Sequence, residues 1–153
     1  DVSHLSDDGF FDLCEHARKP FVASHSNSRA MCGHRRNLTD EILRAVAEKG
    51  GVVGLNFYSA FLTEKKERAG LEMLAEHAKR MIRMAGEDAV ALGTDFDGFE
   101  RKDLPEKLEG AERIELVWDA FQKAGITSRQ TEKIAYGNLF RVIEAGCGKT
   151  SVS

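Results

Sequence analysis

A parallel α/β fold is what this chain predicts, and three observations carry that reading. Strand signals alternate with amphipathic helix signals along nearly the whole length. Each strand signal is short and apolar and stops abruptly at polar residues. Three of those stops deliver side chains capable of chemistry: His4 after the opening DVS, His25 after FVAS, and Asp95 with Asp97 after AVALGT. Alternation at this spacing demands parallel strands joined by right-handed crossovers, and the C-terminal tips of such strands are where α/β enzymes hold reactive groups. Four strand–helix units and an extra C-terminal helix make half of an eight-fold barrel or a small doubly wound sheet; the pattern leaves both open.

The elements follow in order. Residues 1–4 read as the end of a strand without its body, which predicts that the natural domain extends upstream. Residues 6–19 form a helix with Phe10, Phe11, Leu13, Cys14 and Ala17 at helical spacing, Ser6 or Asp7 as its cap, and His16 turned to solvent near its end. Residues 21–24 form a short buried strand, since an apolar run with a β-branched residue follows a proline that cannot sit inside a helix. Beyond His25 comes a loop rich in donors: Ser26, Asn27, Ser28, Arg29, His34, Arg35 and Arg36. Thr39 caps the next helix, whose apolar face is Ile42, Leu43, Val46 and Ala47 and which closes at Lys49 and Gly50.

A strand over residues 52–56 leads into a long connection, residues 57–70. Its aromatics Phe57, Tyr58 and Phe61 suit a loop that lines a site, and its charged run 64–68 reads as solvated. Residues 71–85 are strongly amphipathic, and His77 beside the apolar face reads as structural. A strand over residues 89–93 follows Gly86. Then come a charged connection, a helix over 112–124, a break at Gly125, a helix start at Thr127 or Ser128 and a last helical run 138–145. One domain, residues 1–146, is expected, with 147–153 a disordered tail. The GKT within that tail lacks the glycine spacing of a phosphate-binding loop.

Composition narrows the function classes. With 153 residues, 42% hydrophobic content and a net charge of −3, the chain carries one core and no basic stripe for nucleic acid. No apolar run approaches the ~20 residues a membrane helix needs, and no signal segment leads the chain. A soluble protein is expected, with the cytoplasm the favoured address. Cys14, Cys32 and Cys147 are odd in number and form no CxxC pair, so neither a disulfide framework nor a zinc knuckle is indicated. Two histidines and carboxylates converging from neighbouring strand tips do make a plausible divalent-metal site.

The motifs SHLS at His4, PFVASHSNSRA at His25, RRNLTDE from Arg35, GGVVGLNF from Gly50, LGTDFDG from Leu92 and GNLFRVIEA from Gly137 together resemble the C-terminal half of the renal (membrane) dipeptidase family of zinc peptidases. The resemblance runs over nearly the whole chain, in order and with close spacing. It implies the C-terminal half of a (β/α)8 TIM barrel of the metal-dependent hydrolase type, carrying two zinc ions and hydrolysing dipeptides through a metal-bridged water. By the same resemblance His4 and His25 bind one zinc, Arg36 holds the carboxylate of the dipeptide substrate, and Asp95 is the catalytic proton carrier. Asp97 stays outside that set, because the second carboxylate of such a turn often only bonds backbone amides.

The family's first strand also supplies a His-x-Asp metal pair and a later strand a bridging glutamate. No His-x-Asp occurs at His4, His16, His25, His34 or His77. At most one partial zinc site is therefore expected here, with an inactive isolated chain that pairs with a missing N-terminal half or with a second copy of itself. Two other classes remain open: a non-catalytic binding module derived from the barrel, and a different metal-dependent amidohydrolase. The four intact site residues speak against the first, and Arg36, as a partner for a free carboxylate, against the second.

Overall fold

The computed structural model describes residues 1–147, so the expected tail lies outside the described residues except Cys147, which ends the last helix. Three parallel strands, β1 (Val22–Ala23), β2 (Val52–Leu55) and β3 (Val90–Leu92), pair in the order β1-β2-β3. Val22 lies opposite Val52, Val53 opposite Val90 and Leu55 opposite Leu92. Each strand neighbours the next in sequence, with no reversal of order. That is the arrangement of half of a (β/α)8 barrel, whereas a doubly wound sheet would show a switch point.

The expected fourth strand is corrected. Val2 donates its N–H to the Val22 carbonyl at 2.8 Å, in the position of a strand beside β1, but Leu5 N–H then bonds back to Val2 O at 3.0 Å. The chain turns away after one ladder bond, and residues 1–4 dock beside β1 without extending the sheet.

The helices form where their caps and apolar faces demand. α1 (Asp7–His16) starts at Ser6, whose hydroxyl accepts from Gly9 N–H, and buries only Phe10. α2 (Asp40–Glu48) starts at Thr39, whose hydroxyl accepts from Ile42 N–H, and buries Ile42, Leu43 and Val46. The aromatic connection carries one turn of helix, α3 (Ser59–Leu62). α4 (Leu71–Ala85) buries Leu74, Ala75, His77, Ala78 and Met81, and Gly86 ends it at φ +84°. α5 (Glu115–Lys123) follows a short 3₁₀ turn and buries Val117 and Phe121.

The two predicted C-terminal segments are one run. α6 (Ser128–Glu132) opens with a full capping box between Thr127 and Gln130 and passes through a π turn, Lys133–Gly137, into α7 (Asn138–Cys147). α7 lies under the N-terminal ends of the strands. Arg141 donates to the carbonyls of Gly50 and Asp88, which precede β2 and β3, and Lys19, just before β1, donates to Gly146 O. Val142 packs there on Val52 and Ala91. The opposite, C-terminal ends of the strands stay open.

β2 is buried along its whole length, with Val53 and Leu55 in a core shared with Ile42, Leu74, Met81, Val117 and Phe121. Among the described residues the large exposed apolar side chains sit on helices and their approaches: Leu5, Phe11 and Leu13 around α1, and Tyr136, Leu139, Phe140 and Ile143 along the π turn and α7.

Candidate active site

All four residues singled out by sequence meet at the open ends of the strands. His4, His25, Arg36 and Asp95 line one cleft of about 300 Å³, together with Tyr58, Phe61, Gly98 and Phe99. His25 stands two residues beyond β1, Asp95 three beyond β3, and His4 comes from the segment docked against β1.

The two imidazoles face each other, with His4 Nε2 and His25 Nε2 3.0 Å apart and the rings tilted by 58°. Two nitrogens bound ~2.05 Å from one tetrahedral zinc would lie ~3.3 Å apart, so the pair has nearly the separation a shared ion imposes. The donor set does not close. Among the described residues no group of three or more His, Cys, Asp or Glu side chains is placed to enclose a metal ion. The pair fits as part of a metal site and needs further ligands.

Burial lowers the His25 pKa. Asp95 pulls the other way, and the positive neighbours Arg36 and His4 reinforce the burial. The ring is therefore neutral near pH 7, the state in which an imidazole offers a lone pair. Its Nδ1 lies 2.7 Å from the Ser24 hydroxyl.

Arg36 reaches the same place from the polar loop. Its Nε donates to the Ser3 carbonyl at 3.1 Å, one terminal nitrogen lies 3.3 Å from His25 Nε2, and the guanidinium carbon sits 5.6 Å from the centre of the Phe61 ring. The loop that carries it is pinned at several points. Arg29 grips Asp7 with two N–H donors at 2.6 and 2.8 Å and donates to the carbonyls of Asn37 and Arg35. Buried Asn37 spans the carbonyls of Cys32 and Phe61. That pairing holds Asp7 below the usual carboxylate range, first through the hydrogen bond from Arg29.

Asp95 adopts a left-handed backbone, φ +57°, and its Oδ2 accepts from Asn56 Nδ2 at 3.0 Å. Asn56 is fully buried at the tip of β2. It exchanges two 2.9 Å bonds with Asn27, and its own side-chain oxygen accepts from Tyr58 N–H at 2.6 Å. Sequence reasoning missed Asn56. The signal was available: a polar residue ending a buried strand, at the same end of the sheet as His25 and Asp95. Asp97 is exposed and apart from the cleft lining.

His77, read as structural, is packed in the core, and His16, read as facing solvent, is exposed. His77 is completely buried, its Nε2 is 3.1 Å from Leu62 O, and its Nδ1 receives Ser28 N–H at 3.3 Å. His16 is exposed and bonds Asp12 O within α1. The aromatic connection lines the site as expected, through Tyr58 and Phe61, while the charged run 64–68 is exposed.

The chain is similar to known proteins along almost its whole length. Residues 1–148 match the family model described as membrane dipeptidase (peptidase family M19). A Klebsiella pneumoniae protein known as an uncharacterized protein in the pqqA 5′ region is 39% identical over 147 residues, covering 94% of this chain and 53% of that protein. An uncharacterized dipeptidase of Schizosaccharomyces pombe is 32% identical, with 93% of this chain and 34% of that protein covered. The chain thus spans about half and about a third of these relatives' lengths. A crystal structure of a Rhodobacter sphaeroides metallopeptidase liganded with a phosphinate mimic of the dipeptide L-Ala-D-Ala superposes with a TM-score of 0.87 at 34% identity, over 95% of this chain and 41% of that one. No helix among the described residues is long and apolar enough to cross a membrane. By its strand order, its cleft and this match along almost its full length, the chain belongs to the membrane dipeptidase family of metallopeptidases.

Proposed function

We propose that the chain forms the C-terminal half of a zinc-dependent dipeptidase, and that His4, His25, Arg36 and Asp95 are its share of the active site. The observation that carries this reading is the convergence of two facing imidazoles, a guanidinium and a carboxylate on one cleft of about 300 Å³, a size suited to a small ligand. Zinc, when bound, polarises the scissile carbonyl and activates water near neutral pH.

The chain's own groups divide the remaining work. His4 and His25 offer nitrogen donors, and burial keeps His25 neutral. Arg36 presents a planar fork that matches both oxygens of a free carboxylate, and its Nε bond to Ser3 O sets the direction of that fork. Asp95 has one oxygen engaged by Asn56, which leaves the other to take a proton and hand it to the departing amine. Tyr58, Phe61 and Phe99 wall the cleft and reduce its contact with water.

Two imidazoles fall short of the four ligands a zinc ion takes. The remaining ligands are assigned to an N-terminal half, and the chain alone is expected to be inactive. The partner in this reading is that half or, failing it, a second copy. Light scattering during gel filtration tests association: a stable 17.0 kDa monomer that ignores an added N-terminal half overturns the pairing.

The activity test is a panel of dipeptides with free or amidated C termini, offered to the chain together with its N-terminal half, alongside a measurement of zinc content. Chelator-sensitive hydrolysis of the free-carboxylate forms only is expected. Equal turnover of the amides would point to a different amidohydrolase, and zinc binding without turnover to a non-catalytic module.

A further inference from the structure

The carboxylate of Asp1 receives hydrogen bonds from both segments that carry the site histidines. Its Oδ1 accepts from Ser3 N–H at 3.0 Å, from the Ser3 hydroxyl at 2.9 Å and from Ser24 N–H at 3.0 Å. Its Oδ2 accepts from the Ser24 hydroxyl. Ser3 directly precedes His4 and Ser24 directly precedes His25. The Ser3 hydroxyl oxygen also accepts from His25 N–H at 3.0 Å. One carboxylate therefore fixes the spacing of the two segments whose imidazoles face each other.

The same contacts dictate where the His25 proton sits. An ionised carboxylate can only accept, and a hydroxyl has a single proton to give. The Ser24 proton therefore points at Asp1, and the Ser24 lone pairs point at His25 Nδ1, 2.7 Å away. A bond at that distance requires Nδ1 to carry the proton, which leaves Nε2 with its lone pair. On the other side of the ring, the Arg36 guanidinium lies 3.3 Å from Nε2 and has only N–H groups to offer it. Both edges of the ring ask for the same tautomer, and it is the one a free imidazole disfavours.

We infer that Asp1 and Ser24 are positioning residues that hold the proton on Nδ1 of His25 and keep its Nε2 open toward the cleft, a relay of carboxylate, hydroxyl and imidazole. This rests on the reading of His25 as a metal ligand. Metal-binding histidines ordinarily have their second nitrogen held directly by a carboxylate, carbonyl or water, and losing that partner costs 10- to 100-fold in metal affinity or activity. Here a serine hydroxyl stands between the carboxylate and the ring.

Long-range ¹H–¹⁵N correlation spectra of the ¹⁵N-histidine-labelled chain at pH 8 read the tautomer directly, and titration with Zn²⁺ alone reads affinity. The wild type should show a protonated Nδ1 and a bare Nε2 at His25. Asp1→Asn and Ser24→Ala should move the proton toward Nε2 and weaken Zn²⁺ binding about 10- to 100-fold, with the helical circular dichroism unchanged; Ser24→Thr, which keeps the hydroxyl, should restore both. A wild-type His25 protonated on Nε2, or a tautomer unmoved in both variants, overturns the relay. If the tautomer shifts as expected but Zn²⁺ perturbs neither His4 nor His25 even with the N-terminal half added, the relay stands and the reading of these two histidines as zinc ligands falls.

Discussion

Asn56 and Asp95 are joined at the tips of neighbouring strands, where the Asn56 amide donates to Asp95 Oδ2 at 3.0 Å while Asp95 holds a backbone φ of +57°. A left-handed conformation at a residue other than glycine costs on the order of 1 kcal/mol or more. The bond compensates by fixing one carboxylate oxygen and orienting the other. In the proposed assembly with an N-terminal half, Asp95→Asn should lower kcat about 10²- to 10⁴-fold, the usual contribution of a positioned acid or base. Asn56→Ala should lower it about 10²-fold, the cost of a small misplacement, with zinc content unchanged in both. Metal analysis alongside steady-state kinetics checks this: loss of zinc from Asp95→Asn would make Asp95 a ligand instead of a proton carrier.

Arg36→Lys tests the carboxylate anchor proposed for this residue. Lysine keeps the charge but loses the fork and the Nε bond to Ser3 O. An increase in KM of about tenfold, equivalent to ~1.4 kcal/mol of binding, is expected with little change in kcat. An unchanged KM for dipeptides with a free carboxylate would remove Arg36 from substrate binding.

His77 predicts how stability responds to acid. Burial pushes its pKa down to about 4, with the Leu62 carbonyl pulling slightly upward. The unfolded chain binds a proton there at about 6.5, so between pH 6.5 and 4 the unfolded state takes up a proton that the folded state refuses. The stabilisation is complete above 6.5 and falls with pH toward 4, by about 3 kcal/mol at 1.36 kcal/mol per unit. His77→Gln can still donate to Leu62 O and accept from Ser28 N–H. Urea unfolding at several pH values should show a flatter slope in that variant. Some slope should remain, because burial also lowers His25 and His34. An identical slope would shift the acid sensitivity to other groups.

The elements legible in the sequence are those set by local chemistry. α2 and α4 begin and end close to where Thr39, Gly50, Leu71 and Gly86 predict, because caps and helical periodicity act within a few residues. The strand tips were legible too, since an apolar run that breaks at His25 or Thr94 has few other readings. What escaped depends on contacts between distant segments. Nothing near Asp1 in sequence announces that its carboxylate binds Ser24, and nothing near Asn56 announces Asn27 and Asp95 as its partners. The missing fourth strand has a similar cause. The alternation in DVSH is strand-like, and only the turn bond from Leu5 to Val2 shows that the chain leaves the sheet.

Sheet packing and site geometry meet at Gly54. It lies mid-β2, opposite Ala91, and a methyl group added there would run into the Ser24 carbonyl oxygen and come within 2.8 Å of Gly93 Cα. A methyl on Gly93 would strike the same carbonyl. These obstacles are backbone atoms, so no rotamer change relieves the clash. Either the strands separate or β1 shifts at its tip, where Ser26 N–H bonds Gly54 O at 2.7 Å and Ser24 leads into His25. Gly54→Ala should therefore destabilise the fold by about 1–3 kcal/mol, the usual cost of overpacking a core, and should disturb the His4–His25 pair as well. Gly146, inside α7 with open space around it, is the control. Alanine there should be neutral or stabilise by up to about 1 kcal/mol, since glycine is the poorer helix former. Thermal unfolding of both variants, with histidine NMR shifts as the site readout, makes the comparison. If Gly54→Ala proved as benign as Gly146→Ala, the close approach of β1, β2 and β3 at their tips could not be what sets the spacing of the site.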